Sequence, residues 1–333
     1  MKNFWLTVFT SVILFSIIEI SLRTFVPMHQ SGDISNYEYN EDLGIVLRKN
    51  LNNVKITDHR QEVITNNFGT LNYENNFSNY DKLIFSIGDS NTMGTGVPFD
   101  SSYPFILFTG INSDDSNNWG VVNLALAAFG TKQTLLSYDL FKKHFDKPTF
   151  VTYLADQNDH MGDYFFNLGQ KHGHLIKDSP RFFGTAEYLG YISNYSEILK
   201  RIKYLIHLEK RNKNYHQEEI DFNNTFIKHY ANKIINFNSK LKEKNIVFIF
   251  SWHSLGKKKE NVCGADYEFV KNWTKENNII FSDWCPYFKK ITKINDKIPV
   301  TNDHSASHAR SWVNRIIAKS FKEKILDEIK TRN

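Results

Sequence analysis

Cysteine is scarce in this chain of 333 residues, where Cys263 and Cys285 are the only two. Their spacing matches no zinc-binding pattern, so the sequence does not predict a structural zinc module. Outside the cytoplasm the two thiols are expected to form one disulfide, whereas inside it they are expected to be buried thiols. The sequence alone leaves both alternatives open.

Clustered basic charge is also lacking. The formal net charge is +5, and the excess is spread along a Lys- and Asn-rich chain with one tight run at residues 257–259. Such a run is typical of a solvated loop, and no nucleic-acid partner is expected. Hydrophobic residues make up 41% and charged residues 23%, which predicts a globular protein with a core of ordinary size.

The first long hydrophobic run lies at the amino terminus. Residues 4–26 are mostly apolar, and Glu19 and Arg23 interrupt the run only near its far end. About 20 apolar residues cross a bilayer as a helix. Because no small-x-small cleavage site follows, we interpret residues 1–27 as an uncleaved membrane anchor, with a signal peptide as the alternative. Lys2 favours a cytoplasmic amino terminus and an extracytoplasmic remainder.

Beyond the anchor, residues 28–80 are polar and Asn-rich, and we expect a juxtamembrane extension that wraps on the main domain. Residues 81–330 are expected to form that domain, with a lid-like insertion at about 159–191. Apolar strands alternate there with helical patterns, which predicts an α/β fold: a three-layer α/β/α sandwich around a parallel sheet of about five strands. The predicted strands are 83–88, 121–126, 150–154, 246–252 and 279–283, and the predicted helices are 132–145, 198–209, 222–243, 267–276 and 305–330.

Three loops that follow predicted strands contain residues suited to acyl transfer. Ser90 follows the first strand, Asn158 and Asp159 follow the third, and His304 follows the fifth. Open α/β sheets bind ligands outside the carboxyl ends of their strands, so these side chains are expected to meet at one edge. For Ser90 alone, an ordinary turn explains the same residues equally well.

The order of these motifs resembles the SGNH/GDSL hydrolase superfamily, in its membrane-anchored bacterial branch. The resemblance covers about residues 83–321, and it rests on Gly88-Asp89-Ser90, on residues 123–131, on Asn158-Asp159 and on Asp303-His304.

That resemblance implies a serine mechanism. Ser90 would be the nucleophile and His304 the general base and acid, with Asp303 as a partner of the imidazole. The oxyanion hole would consist of the backbone N–H groups of Ser90 and Ala128 and the side-chain amide of Asn158. The resemblance implies no metal and no organic cofactor.

The chain departs from the family pattern at two glycines, which are replaced by Ala128 and Asp156. The residues two and three before His304 are Asn302 and Thr301 where the family has Asp. The partner of the imidazole therefore stays open between Asp303, Asn302, a backbone carbonyl and no partner at all.

His308 is an alternative base, because residues 314–318 resemble the helix that follows the family's histidine at a shorter spacing. We prefer His304, since His308 falls inside the predicted final helix. Residues Trp252 and His253 end the fourth strand, where they either line the cleft or close the sheet edge. His160, His172 and His174 match no strong metal-ligand spacing, so no metal is predicted.

We therefore expect a single-pass membrane esterase or deacylase that acts on an acylated small molecule or glycan, with O-acetyl on a cell-surface or exported glycan as the expected substrate. Transfer of the acyl group to a sugar hydroxyl is one alternative. A catalytically impaired, anchored binding module is the other, because of the missing Asp and the altered glycines.

Overall fold

The computed structural model describes residues 2–25, 36–56, 61–113, 118–127, 129–146, 148–159, 196, 198–199, 201–202, 222–253, 263, 265–295, 299–301 and 308–332. The chain divides into two compact units. The first comprises Met1–Ser31 and Lys177–Ile220, and the second comprises Gly32–Ile176 and Asp221–Asn333.

Helix α1 (Lys2–Phe25) belongs to the first unit. Its stretch Phe4–Leu22 has a mean hydropathy of 2.0 over 19 residues, and none of it is buried. The helix is long and apolar enough to cross a bilayer, as predicted, and a membrane anchor and a signal sequence both fit these properties.

Glu19 gives α1 a polar contact within its unit. Its Oε2 accepts hydrogen bonds from Ser196 Oγ at 3.0 Å and from the Ile198 backbone N–H at 3.1 Å. Residues 198–199 and 201–202 are helical, so the carboxylate meets the amino end of that segment, where negative charge is favoured.

Five parallel strands form the central sheet of the second unit: β5 (Lys82–Gly88), β6 (Trp119–Asn123), β7 (Pro148–Asp156), β8 (Val247–His253) and β9 (Ile280–Phe281). Their spatial order is β6-β5-β7-β8-β9. The chain therefore reverses its direction of travel across the sheet between β5 and β7, and this switch point is where doubly wound sheets bind ligands. Ser90 lies two residues after the end of β5.

Helices and short helical turns flank this sheet: α2 (Ser90–Met93), α3 (Tyr103–Ile111), α4 (Thr131–Phe141), α5 (Phe222–Phe226), α6 (Asn232–Lys242), α7 (Ala265–Glu276), α8 (Cys285–Ile294) and α9 (Ser311–Arg332), with 3-10 turns at Phe99–Ser101 and Lys142–His144 and a π-helical segment at Ile227–Ala231.

One face of the sheet packs on α4 and α6. The ring of Phe85 in β5 meets Tyr138 of α4 edge to face, with centroids 5.6 Å apart. Tyr138 in turn meets Phe237 of α6, and Phe237 meets Phe248 of β8. The register pairs Phe85 with Val151 and Val151 with Phe248, so these side chains share a face.

The opposite face packs on α3 and α9. Ser86, the next residue of β5, points the other way, and its hydroxyl lies 3.0 Å from that of Thr152 in β7. Tyr103 of α3 lies 3.5 Å from the same Thr152 hydroxyl and stacks on Phe321 of α9. Helices thus cover both faces, and the predicted three-layer α/β/α fold is confirmed.

Two hairpins precede the sheet: β1 (Tyr37–Asn40) with β2 (Gly44–Leu47), and β3 (Val54–Ile56) with β4 (Gln61–Val63). This segment is tied to the domain, because the Leu43 carbonyl accepts a hydrogen bond from Gln133 Nε2 at 2.6 Å. Asn72 Nδ2 likewise donates to the Val121 carbonyl at 2.7 Å.

The final helix begins later than the sequence pattern indicates. A β-bridge joins Thr301 to Ala309, and the Arg310 N–H donates to the Val300 carbonyl at 3.0 Å. This extended pairing holds the chain out of helical geometry until Ser311. His308 therefore precedes α9, and the expectation that it lies inside the helix is wrong.

Cys263 and Cys285 form a disulfide across a sequence separation of 22 residues. Because a crosslink of this loop length restricts the unfolded chain, we expect its removal to lower the free energy of unfolding by about 3 kcal/mol. Urea unfolding of the C263A/C285A variant, compared with the wild type with and without reductant, measures this difference. Coincident curves for all three samples would contradict the expectation.

Candidate active site

Ser90 lies at the junction of β5 and α2, in a turn that requires glycine before it. A Cβ atom on Gly88 would lie 2.0 Å from Thr92 Oγ1 and 3.0 Å from the Leu154 carbonyl oxygen. The turn therefore closes tightly enough for the chain to pass from the strand directly into the helix. Gly94, at a φ of 85°, ends the helix and donates its N–H to the Ser90 carbonyl at 3.1 Å.

The hydroxyl of Ser90 has a carboxyl partner next to it in the chain. Ser90 Oγ donates to Asp89 Oδ2 at 3.1 Å, while Asp89 Oδ1 accepts the Asn91 backbone N–H at 2.9 Å. Asp89 thus caps α2 and holds the serine hydroxyl at the same time.

Asp156, at the end of β7, is the centre of a buried polar group. Its Oδ2 accepts Asn91 Nδ2 at 2.6 Å and lies 3.0 Å from His253 Nδ1. Since the carboxylate oxygen accepts, His253 Nδ1 carries the hydrogen. The second oxygen, Oδ1, accepts the Asn158 backbone N–H at 3.3 Å.

Two further buried carboxyl groups, those of Asp89 and Asp159, lie near Asp156. Burial raises the pKa of Asp89 to about 7, and the charge of Asp156 raises it too, while the Asn91 backbone N–H, His253 and the Ser90 hydroxyl act in the opposite direction. Burial also raises the pKa of Asp159 well above its ordinary value, as do Asp89 and Asp156. Asp159 Oδ2 accepts the Tyr153 hydroxyl at 2.9 Å.

The structure describes two of the predicted site residues. Ser90 lies at the switch point of the sheet, and Asn158 is exposed just beyond β7. Ala128, Asp303 and His304 lie outside the described residues, so their predicted roles stay predictions. His160, His172 and His174 also lie outside them.

The loop after β6 is nevertheless held beside the Ser90 turn. Asn123 Oδ1 accepts the Ala125 N–H at 3.1 Å, and Asn123 Nδ2 lies 3.5 Å from the Thr92 carbonyl. This places the described neighbours of Ala128 at the same edge of the sheet as α2.

His308 belongs to a segment that contacts the Ser90 turn. The N–H of the next residue, Ala309, donates to Asn91 Oδ1 at 3.4 Å, and Asn91 is adjacent to Ser90 in the chain. His308 itself is half-buried and precedes α9. The residue after His308 is therefore in contact with the residue after Ser90.

Sequence reasoning noticed Asp156 as a carboxylate beside the site and His253 as a strand-end residue, but it did not connect them. Asn91 went unnoticed as the residue that joins them to the serine turn. The available signal was the shared position of Asp156 and His253 at the ends of neighbouring parallel strands.

The raised pKa of Asp89 has a measurable consequence. Between about pH 4 and pH 7 the folded state holds a proton that the unfolded state releases, so stability falls as the pH rises through this range. In the wild type, this proton lowers the free energy of unfolding by at most about 1.4 kcal/mol for each unit by which the pH rises. We expect Asp89→Asn to remove that pH dependence. The variant should therefore gain stability relative to the wild type from pH 4 to pH 8.

Urea unfolding of both proteins at one-unit pH intervals measures this difference. Asp81→Asn, which removes an exposed carboxyl seven residues before the end of β5, is a suitable control for charge alone. If the wild type and Asp89→Asn kept a constant stability difference across the range, the assignment of a proton to Asp89 would be wrong.

Comparison with known proteins gives a likeness to solved structures only. No protein-family model matches the chain, and no curated protein matches it. A lipolytic protein of the G-D-S-L family from Veillonella parvula is 12% identical, with 73% of this chain and 97% of that chain covered and a TM-score of 0.42.

The other likenesses are of the same size. The psychrotrophic esterase EstA from Pseudoalteromonas sp. is 10% identical, with 75% of this chain and 100% of that chain covered and a TM-score of 0.43. An acetylxylan esterase from Geobacillus stearothermophilus is 13% identical, with 74% and 94% covered and a TM-score of 0.42. Because the identities and TM-scores are this low, the functional proposal depends on the residues of this chain.

Proposed function

We propose that this chain is a serine ester hydrolase of the SGNH/GDSL type, which forms an acyl-enzyme on Ser90. The observation that carries the proposal is the position of Ser90: it follows the internal strand β5 at the switch point, in a turn that admits only glycine at position 88. A serine at such a turn presents its hydroxyl above the sheet edge, where an ester carbonyl can approach.

The chemical step needs a group that accepts the serine proton. An imidazole within hydrogen-bond reach of Oγ takes this proton during attack and returns it to the leaving alcohol. His304 is the base expected from the motif order. The contact between Ala309 and Asn91 supports His308, and we propose His308 as the base with His304 as the alternative.

The negative charge that develops on the carbonyl oxygen needs donors in fixed positions. The proposed donors are the backbone N–H groups of Ser90 and Ala128 and the side-chain amide of Asn158. Loss of one such donor typically costs about 10²–10³ in rate. Asn158 is suited to this role, since its backbone is fixed by Asp156 while the residue is exposed at the sheet edge.

The proposed substrate is an O-acyl ester, with O-acetyl groups on cell-surface or exported glycans as the favoured class. Helix α1 supports attachment to a membrane, and the Cys263–Cys285 disulfide supports an oxidising compartment outside the cytoplasm. Both features favour a substrate on that side of the membrane.

Hydrolysis of p-nitrophenyl acetate by the full-length chain in detergent tests the proposal. We expect Ser90→Ala to lower kcat by at least about 10³-fold, because the acyl-enzyme no longer forms. The matched control is Ser78→Ala, at a serine that precedes the amino end of β5, whereas Ser90 follows the carboxyl end of that strand. Equal rates for the wild type and Ser90→Ala would remove the esterase assignment and favour a binding module.

The two histidine candidates are separated by single substitutions. We expect His308→Ala to lower kcat by about 10²–10⁴-fold, since general base catalysis contributes about that much, and His304→Ala to lower it by less than about tenfold. Steady-state kinetics on the same ester gives both values. The reverse order would assign the base to His304.

A further inference from the structure

Asp156 and His253 are paired by the sheet itself. They are register partners at the carboxyl ends of β7 and β8, so their side chains leave the sheet on the same face. The two groups lie 3.0 Å apart, and His253 is fully buried. Its ring lies against that of Trp284, with centroids 6.2 Å apart.

The backbone beneath Asp156 is fixed from a second direction. The hydroxyl of Tyr230 donates to the carbonyl oxygens of Asp156 at 3.1 Å and Gln157 at 3.0 Å. Tyr230 belongs to the π-helical segment between α5 and α6, a local widening of the helix that often occurs at functional sites. The carboxylate is therefore presented by a rigid strand end.

Asn91 connects this carboxylate to the two chain segments that carry the proposed chemistry. Its backbone N–H binds Asp89, its Nδ2 binds Asp156, and its Oδ1 accepts the N–H of Ala309. An amide held at both its oxygen and its nitrogen has one orientation, and here the carboxylate dictates which end faces Ala309.

We propose that Asp156 and His253 are positioning residues for the serine site: the pair orients the Asn91 amide, and the oriented amide holds the His308–Ala309 segment against the Ser90 turn. This inference rests on the proposed function. Neither residue touches the ester, and both act through Asn91. Asp156, at a position where the family pattern has glycine, would thus help to assemble the site.

The chain offers a test by exchange of the two partners. In Asp156→Asn the single oxygen serves either Asn91 and His253, which share Oδ2 in the wild type, or Asn158, which uses Oδ1. The amide nitrogen takes the other position and faces a donor there, so the Asn91 amide loses its single orientation. The double variant Asn91→Asp/Asp156→Asn reverses the direction of the central hydrogen bond. In it, residue 91 still accepts from Ala309. The amide nitrogen of residue 156 donates to residue 91 and to His253 Nδ1 in its other tautomer, and the amide oxygen accepts the Asn158 N–H.

His253 is tested by a pair of variants that differ in one hydrogen-bond donor. In His253→Asn the side-chain amide nitrogen stands close to the place of Nδ1 and keeps a donor toward Asp156. His253→Leu has similar bulk and no donor. A role in filling space predicts that leucine is the better replacement, whereas the positioning role predicts that asparagine is.

Two measurements on the full-length chain in detergent follow these variants, with thermal unfolding to confirm that each is folded. For p-nitrophenyl acetate we expect Asp156→Asn and His253→Leu to lower kcat by about 10–100-fold with KM changed less than about threefold, since misplaced groups slow the chemical step. The double exchange and His253→Asn should recover kcat to within about fivefold of the wild type. Asp139→Asn is the matched control and should keep full activity, because it breaks contacts of α4 only with Lys142 in the following 3-10 turn and with Lys240 of α6.

Amide hydrogen exchange of the peptide that contains Ala309 provides the readout that needs no turnover. We expect faster exchange in Asp156→Asn and His253→Leu, and protection near that of the wild type in the double exchange. Unchanged exchange and unchanged kcat in the single variants would overturn the positioning role while the esterase assignment stands. If the wild type hydrolyses no ester, the proposed function fails and the exchange data alone decide this inference. If Asp156→Asn does not fold, the two His253 variants decide it.

Discussion

A buried carboxylate is stable only where hydrogen-bond donors surround it. At the carboxyl ends of the strands in this sheet, several side chains are arranged around one such group. Asp156 collects donors from the serine turn, from β8 and from its own loop. An unpaired charge at this depth costs several kcal/mol, so these donors stabilise the folded state. Strand register, the π-helical segment and the turn at Gly88 all serve to bring the donors to the carboxylate.

The same burial governs the protons at this edge. Burial raises the pKa of Asp89 and of Asp159, and the repulsion between Asp89, Asp156 and Asp159 raises both pKa values further. Near neutral pH, Asp89 therefore titrates while it holds the Ser90 hydroxyl. The hydrogen bond between Ser90 and Asp89 is in this way coupled to the charge of Asp156.

The sheet was predictable from the sequence because each strand has a recognisable local pattern of apolar residues. The run before Gly88 is apolar and ends in turn formers, and Ser90 follows from the same pattern. The start of α9 was not predictable, because the β-bridge between Thr301 and Ala309 prevents helix formation where the sequence pattern is still helical. The triad of Asn91, Asp156 and His253 joins residues 65 and 97 positions apart, and only strand register reveals that the last two are neighbours.

Glu19 gives helix α1 a structural role inside its own unit. Its carboxylate supplies the acceptor for Ser196 Oγ and for the Ile198 N–H, both of which belong to the chain between β7 and α5. A soluble fragment that starts after Phe25 would lose the acceptor of the Ile198 N–H, while Ser196 Oγ would still accept the Leu199 N–H at 3.2 Å. Removal of α1 would therefore take away side-chain contacts inside the unit formed by Met1–Ser31 and Lys177–Ile220.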